Sequence, residues 1–107
     1  TVSLAETFGT PLYVMDEQAI REALREFKGA MDAYAAGGRV AYASKACCFK
    51  ELYRIVNEEG CGADVVSGGE LYTAIQAGFP APNCVAFLPS LRGWGRPHRC
   101  ICGSRRG

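Results

Sequence analysis

The sequence predicts an α/β fold, and three observations carry that expectation. Two apolar runs, Val40 to Ala43 and Ala63 to Val66, have the length of strands and the near-continuous apolar character of a parallel sheet covered on both faces. The stretch between them has helical spacing, so Arg39 to Glu70 reads as one βαβ unit. Polar groups fall at the ends or breaks of these runs, Lys45 after the first and Asp64 within the second. Parallel sheets bind ligands at the carboxyl ends of their strands, so the same unit is where chemistry is expected.

The elements follow in order. Thr10 to Val14 reads as a short strand entered through a Gly-Thr-Pro turn. Asp16 is a suitable N-cap for a long amphipathic helix running to about Ala35. Ile20, Ala23, Leu24, Phe27, Met31 and Tyr34 recur at three- and four-residue intervals and mark its inner face. Glu17 and Arg21 are spaced for a weak surface pair, and Gly37-Gly38 closes the helix. After the strand at 40–43, Leu52, Tyr53, Ile55 and Val56 form the buried stripe of a second helix that Gly60 ends. Ser67-Gly68-Gly69-Glu70 has the spacing of a capping box, so a third helix starts there, with Leu71, Ala74 and Ile75 inward and Gly78 at its end. Cys84 to Phe87 is a further strand candidate.

Composition bounds the function. The 107 residues suffice for one small domain with a core, and no apolar run reaches the length of a membrane span. No secretory signal is visible, and the chain begins Thr-Val rather than with Met, which leaves its true start open. Six cysteines without such a signal read as reduced thiols of a cytoplasmic protein. Residues 1–91 hold all eleven acids against seven bases, whereas 92–107 hold five arginines and no acid. That asymmetry and the loss of apolar period divide the chain near residue 87, with a basic tail at 88–107 expected to lack packed structure.

Several residue types invite chemistry. A lysine becomes nucleophilic when burial or a neighbouring charge makes its neutral form accessible, and an adjoining acid can orient the imine it forms with an aldehyde. Lys45 and Asp64 are such a pair if their strands adjoin; a solvated strand-end lysine with a structural salt bridge is the alternative, and spacing alone favours that alternative. Gly68-Gly69 at a helix start suit a tight turn, or an anion. Cys47 and Cys48 are adjacent in sequence, a separation that rarely allows a bridge, and no partner pair stands at zinc spacing. His98, Cys100 and Cys102 lack a fourth ligand, so no metal site is assigned. The tail arginines could bind nucleic acid, with Trp94 to stack on a base, but a basic tail of this kind is more commonly a solvated end, so nucleic acid is not the expected partner.

Three motifs in order carry a resemblance. They are Gly9-Thr10-Pro11-Leu12-Tyr13-Val14, then Ala41-Tyr42-Ala43-Ser44-Lys45-Ala46, then Asp64-Val65-Val66-Ser67-Gly68-Gly69-Glu70-Leu71. Over about residues 8 to 80 the chain resembles the start of the diaminopimelate decarboxylase family, within the alanine-racemase-like, fold-type III pyridoxal-phosphate enzymes. Alanine racemases differ around the lysine, and the Ser-Gly-Gly-Glu-Leu run separates this chain from ornithine decarboxylases. The resemblance implies the amino-terminal portion of a pyridoxal 5'-phosphate-binding (β/α)8 TIM-type barrel. It further implies decarboxylation of meso-2,6-diaminopimelate to L-lysine, the last step of lysine biosynthesis, by a homodimer. Lys45 would carry the cofactor as a Schiff base, Asp64 would lie beside it, and Ala43 would lie under the ring, where a larger side chain would clash. Glu70 matches a family position near the site and equally suits a helix cap. The alternatives are another fold-type III decarboxylase of basic amino acids or polyamine precursors, and a non-catalytic module binding nucleic acid through its tail.

The resemblance stops after Phe87. The Arg-, Gly-, Pro- and Cys-rich tail has the composition of an out-of-frame reading of a GC-rich gene, so a frameshifted end is expected. A barrel of this type needs about 250 residues, and the chain supplies two or three of its units. The polypeptide by itself is therefore expected to be inactive.

Overall fold

The computed structural model describes residues 1–34 and 36–86. The elements are α1 (Val2–Phe8), α2 (Glu17–Asp32), β1 (Ala41–Ala43), α3 (Lys50–Glu58), β2 (Gly62–Val65), α4 (Gly68–Gln76) and β3 (Cys84–Ala86). Single 3-10 turns at Ser44–Ala46 and Ala81–Asn83 follow β1 and precede β3. The three strands form one parallel sheet in the order β1-β2-β3. In it Ala43 pairs with Asp64, and Asp64 with Val85.

Strand alternation sorts the sheet into two unlike faces. Tyr42, Ala63 and Cys84 share one row, Tyr42 half-buried and the others buried, and Val65 is buried on the same side. The core continues through Leu24 of α2, Leu52, Tyr53, Ile55 and Val56 of α3, Ala74 of α4, and Phe79. On the other face Ala41, Ala43 and Val85 are exposed and Asp64 is half-buried. The sequence predicts strands covered on both faces; the described residues cover one. Ala41 and Ala43 are apolar yet small, so exposing them costs little hydrophobic free energy compared with a Leu or Ile.

The helix ends follow their sequences closely. Asp16 Oδ1 accepts a hydrogen bond from the Ala19 N–H at 3.1 Å and caps α2. α3 and α4 both finish in the same two-bond motif. Gly60 and Gly78, at φ 74° and 77°, adopt the left-handed conformation that glycine takes without strain. Their N–H groups reach Asn57 O and Ile75 O, while the next residues, Cys61 and Phe79, donate to Val56 O and Ala74 O at 3.0 Å. Both of those following residues are buried, so each motif turns the chain straight into the core.

The structure departs from the sequence expectation in several places. No strand forms over 10–14: the segment has no pairing partner among the described residues, and Tyr13 is 100 % exposed. α1, which buries no residue, has no apolar stripe to announce it. α2 stops at Asp32, short of Ala35, which lies outside the described residues. Of its expected inner face, Leu24 is buried and Ile20 and Met31 are half-buried, but Ala23, Phe27 and Tyr34 are exposed. Ile75 is exposed and Val66 lies outside β2. Phe87, the basic tail, His98, Cys100, Cys102 and Trp94 lie outside the described residues. Cys47, Cys48, Cys61 and Cys84 are free thiols.

Arginines tie α2 to the end of α3. Arg21 meets Glu58 at 2.6 Å, Glu59 at 2.8 Å and Glu17 at 2.7 Å, and Arg25 meets Glu59 at 2.7 Å. Arg25 first, and Arg21 with it, hold the Glu59 carboxyl down to about 2 from its ordinary 4.5. A carboxyl lowered in the folded state stabilises above its unfolded value and loses that contribution as pH falls through the folded one. Glu59→Gln is therefore expected to melt below the wild-type chain at pH 6, with the gap closing between pH 4.5 and 2. Melting curves across that range check it, and a gap that persists unchanged at pH 2 would contradict the assignment.

Candidate active site

The open face and the carboxyl ends of β1 and β2 meet at one corner. β1 ends at Ala43 and the chain turns through Ser44–Ala46, placing Lys45 two residues beyond a residue paired in register with Asp64. Lys45 is exposed and Asp64 half-buried. Neither side chain makes a hydrogen bond or ion pair among the described residues. The structural salt bridge that the sequence left open is therefore not formed, and both groups stay available to a ligand. Ala43 is exposed on the same face as Asp64, where its methyl group leaves space.

Below this corner the turn is anchored. Ser44 is 0 % exposed, and its Oγ is the buried side-chain polar atom without a hydrogen-bond partner among the described residues. Burial pushes the Tyr53 phenol up, and the neighbouring Ser44 hydroxyl pulls it part of the way back. The Tyr42 hydroxyl donates to the Cys47 carbonyl at 3.0 Å, closing the loop that contains Lys45.

Glu70 is placed by its helix. Ser67 Oγ accepts from the Glu70 N–H at 3.2 Å, and Glu70 Oε2 accepts from the Val66 N–H at 2.7 Å. The capping box forms, reaching one residue further back than its usual form. This engages one carboxylate oxygen of Glu70 at the start of α4, a few residues past the end of β2. Gly68 and Gly69 provide the first turn of that helix. The Tyr53 hydroxyl donates to the Glu70 carbonyl at 3.3 Å, fastening this helix start to α3.

Sequence reasoning misses Val85, Tyr42 and Ser44. Val85 joins Ala43 and Asp64 in one row across the open face. Its signal lies in the pairing of short parallel strands, but reading it needs the register, which a single sequence does not give. Among the described residues no group of three His, Cys, Asp or Glu side chains could hold a metal ion, and no helix is long and apolar enough to cross a membrane.

Comparison with known proteins bears on the sequence and the fold. Residues 17–92 match the family model of the pyridoxal-dependent decarboxylases, pyridoxal binding domain. A diaminopimelate decarboxylase of Bacillus methanolicus is 52% identical over 80 residues, covering 75% of this chain and 18% of the relative. The crystal structure of diaminopimelate decarboxylase from M. jannaschii superposes with a TM-score of 0.73 at 38% identity, covering 81% of this chain and 21% of that one. A second structure of that enzyme, in complex with L-lysine, gives 0.65 at 43% identity, covering 79% and 20%. The chain thus spans about a fifth of the length of the relatives it matches. With the family model covering most of its residues, the chain belongs to the pyridoxal-dependent decarboxylases, by their pyridoxal-binding domain.

Proposed function

We propose that this chain contributes the cofactor-lysine corner of a diaminopimelate decarboxylase, which converts meso-2,6-diaminopimelate to L-lysine. The observation that carries the proposal is the unpaired Lys45 at the end of β1, two residues beyond the Ala43–Asp64 pair on the open face. Pyridoxal 5'-phosphate, when bound, supplies an aldehyde that links to amines and a ring that takes up the electron pair left by a departing carboxylate. The residues present fit that group. Lys45 offers an amine with no competing ion pair among the described residues, Asp64 an unpaired carboxylate beside it, and Ala43 a face without bulk.

In this reading Lys45 would hold the cofactor through its amine, and that amine, when free, would hold or move a proton beside it. Asp64 keeps positive charge at that nitrogen and fixes the orientation of the amine. Ala43 leaves room for a flat ring. Glu70, at the start of α4, keeps one carboxylate oxygen that the helix cap does not use. The cofactor phosphate and the substrate carboxylates need donors that these residues do not supply. The free thiols of Cys47, Cys48, Cys61 and Cys84 suit the reducing cytoplasm, where the reading places the enzyme as a homodimer. Residues 88–107 remain, in the same reading, a separate basic stretch.

The relatives named diaminopimelate decarboxylase, one of them bound to L-lysine, the product of that reaction, support this substrate. A chimaera tests the proposal: the 80 matching residues of the Bacillus methanolicus enzyme are exchanged for those of this chain. With pyridoxal 5'-phosphate it is expected to release carbon dioxide from meso-2,6-diaminopimelate. A chimaera that folds and holds the cofactor but leaves that substrate intact would contradict it. The 107-residue polypeptide by itself is expected to release none, because its described residues supply three strands and the barrel closes only with eight.

A further inference from the structure

Tyr42 lies in the middle of β1, paired with Ala63, and its ring packs against the core from the helix-covered face. Its hydroxyl crosses the turn to the Cys47 carbonyl at 3.0 Å. That carbonyl belongs to the residue directly after the Ser44–Ala46 turn, and no backbone N–H donates to it among the described residues. Burial, more than the neighbouring Cys47 thiol, pushes the Tyr42 phenol up, so the hydroxyl keeps its proton and remains a donor at neutral pH. The loop is thereby fixed at three points: Tyr42 and Cys47 at its ends, and the fully buried Ser44 within it. Lys45, flanked by those anchors, is exposed and has no side-chain partner among the described residues to hold it.

We infer that Tyr42 is a positioning residue for Lys45, acting through the Cys47 carbonyl to set where the lysine leaves the backbone. The inference rests on the reading of Lys45 as the cofactor lysine. A lysine has a flexible four-carbon stem, so nothing in the side chain itself aims the amine at an aldehyde beside Asp64. The backbone it grows from has to do so, and one hydroxyl on the far face of the strand restrains that backbone.

The chain carries three lysines, Lys28, Lys45 and Lys50, which makes the test internal. The wild-type chain is treated with limiting pyridoxal 5'-phosphate and cyanoborohydride. The nitrogen–carbon bond forms with loss of the aldehyde oxygen as water, and the added hydride fixes it as a secondary amine. Peptide mapping then gives the share of label on each lysine. Lys45 is expected to take most of it in the wild-type chain. In Tyr42→Phe, which keeps the ring and its packing, the ratio of Lys45 to Lys28 and Lys50 is expected to fall roughly threefold to tenfold, the factor that one net hydrogen bond corresponds to. Tyr13→Phe, at an exposed position, is expected to leave the ratio unchanged.

A hydroxyl that served only stability would lower the melting temperature and leave the ratio in the folded chain where it was. A wild-type preference for Lys45 that survives intact in Tyr42→Phe overturns the inference while sparing the cofactor assignment. No preference for Lys45 in either the isolated chain or the chimaera overturns the cofactor assignment itself; where only the isolated chain lacks it, the Tyr42→Phe ratio is read in the chimaera. If Tyr42→Phe unfolds the isolated chain, the same ratio is read in the chimaera with and without that substitution: a fall supports the inference, and an unchanged ratio overturns it.

Discussion

Lys45→Ala is expected to abolish the absorbance that protein-bound pyridoxal 5'-phosphate acquires on linking to an amine, and to abolish turnover of the chimaera with it. The reasoning is local. Position 45 lies just past the carboxyl end of β1, exposed and clear of ion pairs among the described residues. Ala43 and Asp64, adjoining it, are held in register by the sheet. Removing the amine leaves that surface intact, because the side chain supports nothing beneath it. Stability should therefore change by no more than about 0.5 kcal/mol, the ordinary span for an exposed substitution. Lys45→Arg makes the sharper comparison. It retains the charge but not the nucleophile, since a guanidinium does not give up its proton near neutrality. Difference spectra after cofactor addition check both variants, and an unchanged linked-cofactor band in Lys45→Ala would remove Lys45 from the mechanism.

Tyr53→Ala is expected to have the largest effect on the fold, about 3–5 kcal/mol, which is the ordinary range for emptying an aromatic site in a core. Tyr53 is 1 % exposed and lies among the residues that join α3 to the sheet. Its ring meets Phe79 edge-on, with centroids 6.0 Å apart and planes at 73°. Its hydroxyl reaches the Glu70 carbonyl at the start of α4. One side chain therefore joins the end of α4, through Phe79, to its beginning, through Glu70. A domain of this size has a total stability of only about 5–15 kcal/mol, so the alanine variant should be largely unfolded near 37 °C. Tyr53→Phe removes only the hydroxyl and should lose about 1 kcal/mol. Urea denaturation followed by circular dichroism separates the two. Equal midpoints for Tyr53→Ala and wild type would show that the core is not organised around this residue.

The parts of the fold legible in the sequence are those whose signal is local. Asp16, Gly60, Gly78 and the Ser67–Glu70 box all act within a few residues of themselves, and the structure forms each of them. The buried stripe Leu52, Tyr53, Ile55 and Val56 is legible because a helical period repeats over a short span. What fails depends on partners. Residues 10–14 have strand composition, but strand structure needs a neighbour, and none of the described strands supplies one. Phe27, Tyr34 and Ile75 have the spacing of inner-face residues, yet nothing among the described residues covers them. Apolar period says which face a helix would bury, not whether a second surface arrives.

The candidate site divides in the same way. Lys45 and Asp64 stand out in the sequence as polar groups after one apolar run and within the next, and the β1–β2 register sets Asp64 beside Ala43, two residues before Lys45. Val85 is invisible there because its place beside Asp64 depends on how β3 aligns with β2. Tyr42 reads as one more apolar strand residue, since its hydroxyl finds its acceptor only when the following turn bends back. Glu70 suits two readings from sequence. The structure forms the cap, which accounts for one carboxylate oxygen.

A crystal structure of the chimaera with pyridoxal 5'-phosphate tests the account most directly. Continuous density from Lys45 Nζ to the aldehyde carbon, with the ring over Ala43 and the Asp64 carboxylate alongside, is the predicted result. Density joining the cofactor to Lys28 or Lys50, or a ring lying on the helix-covered face of the sheet, would contradict it.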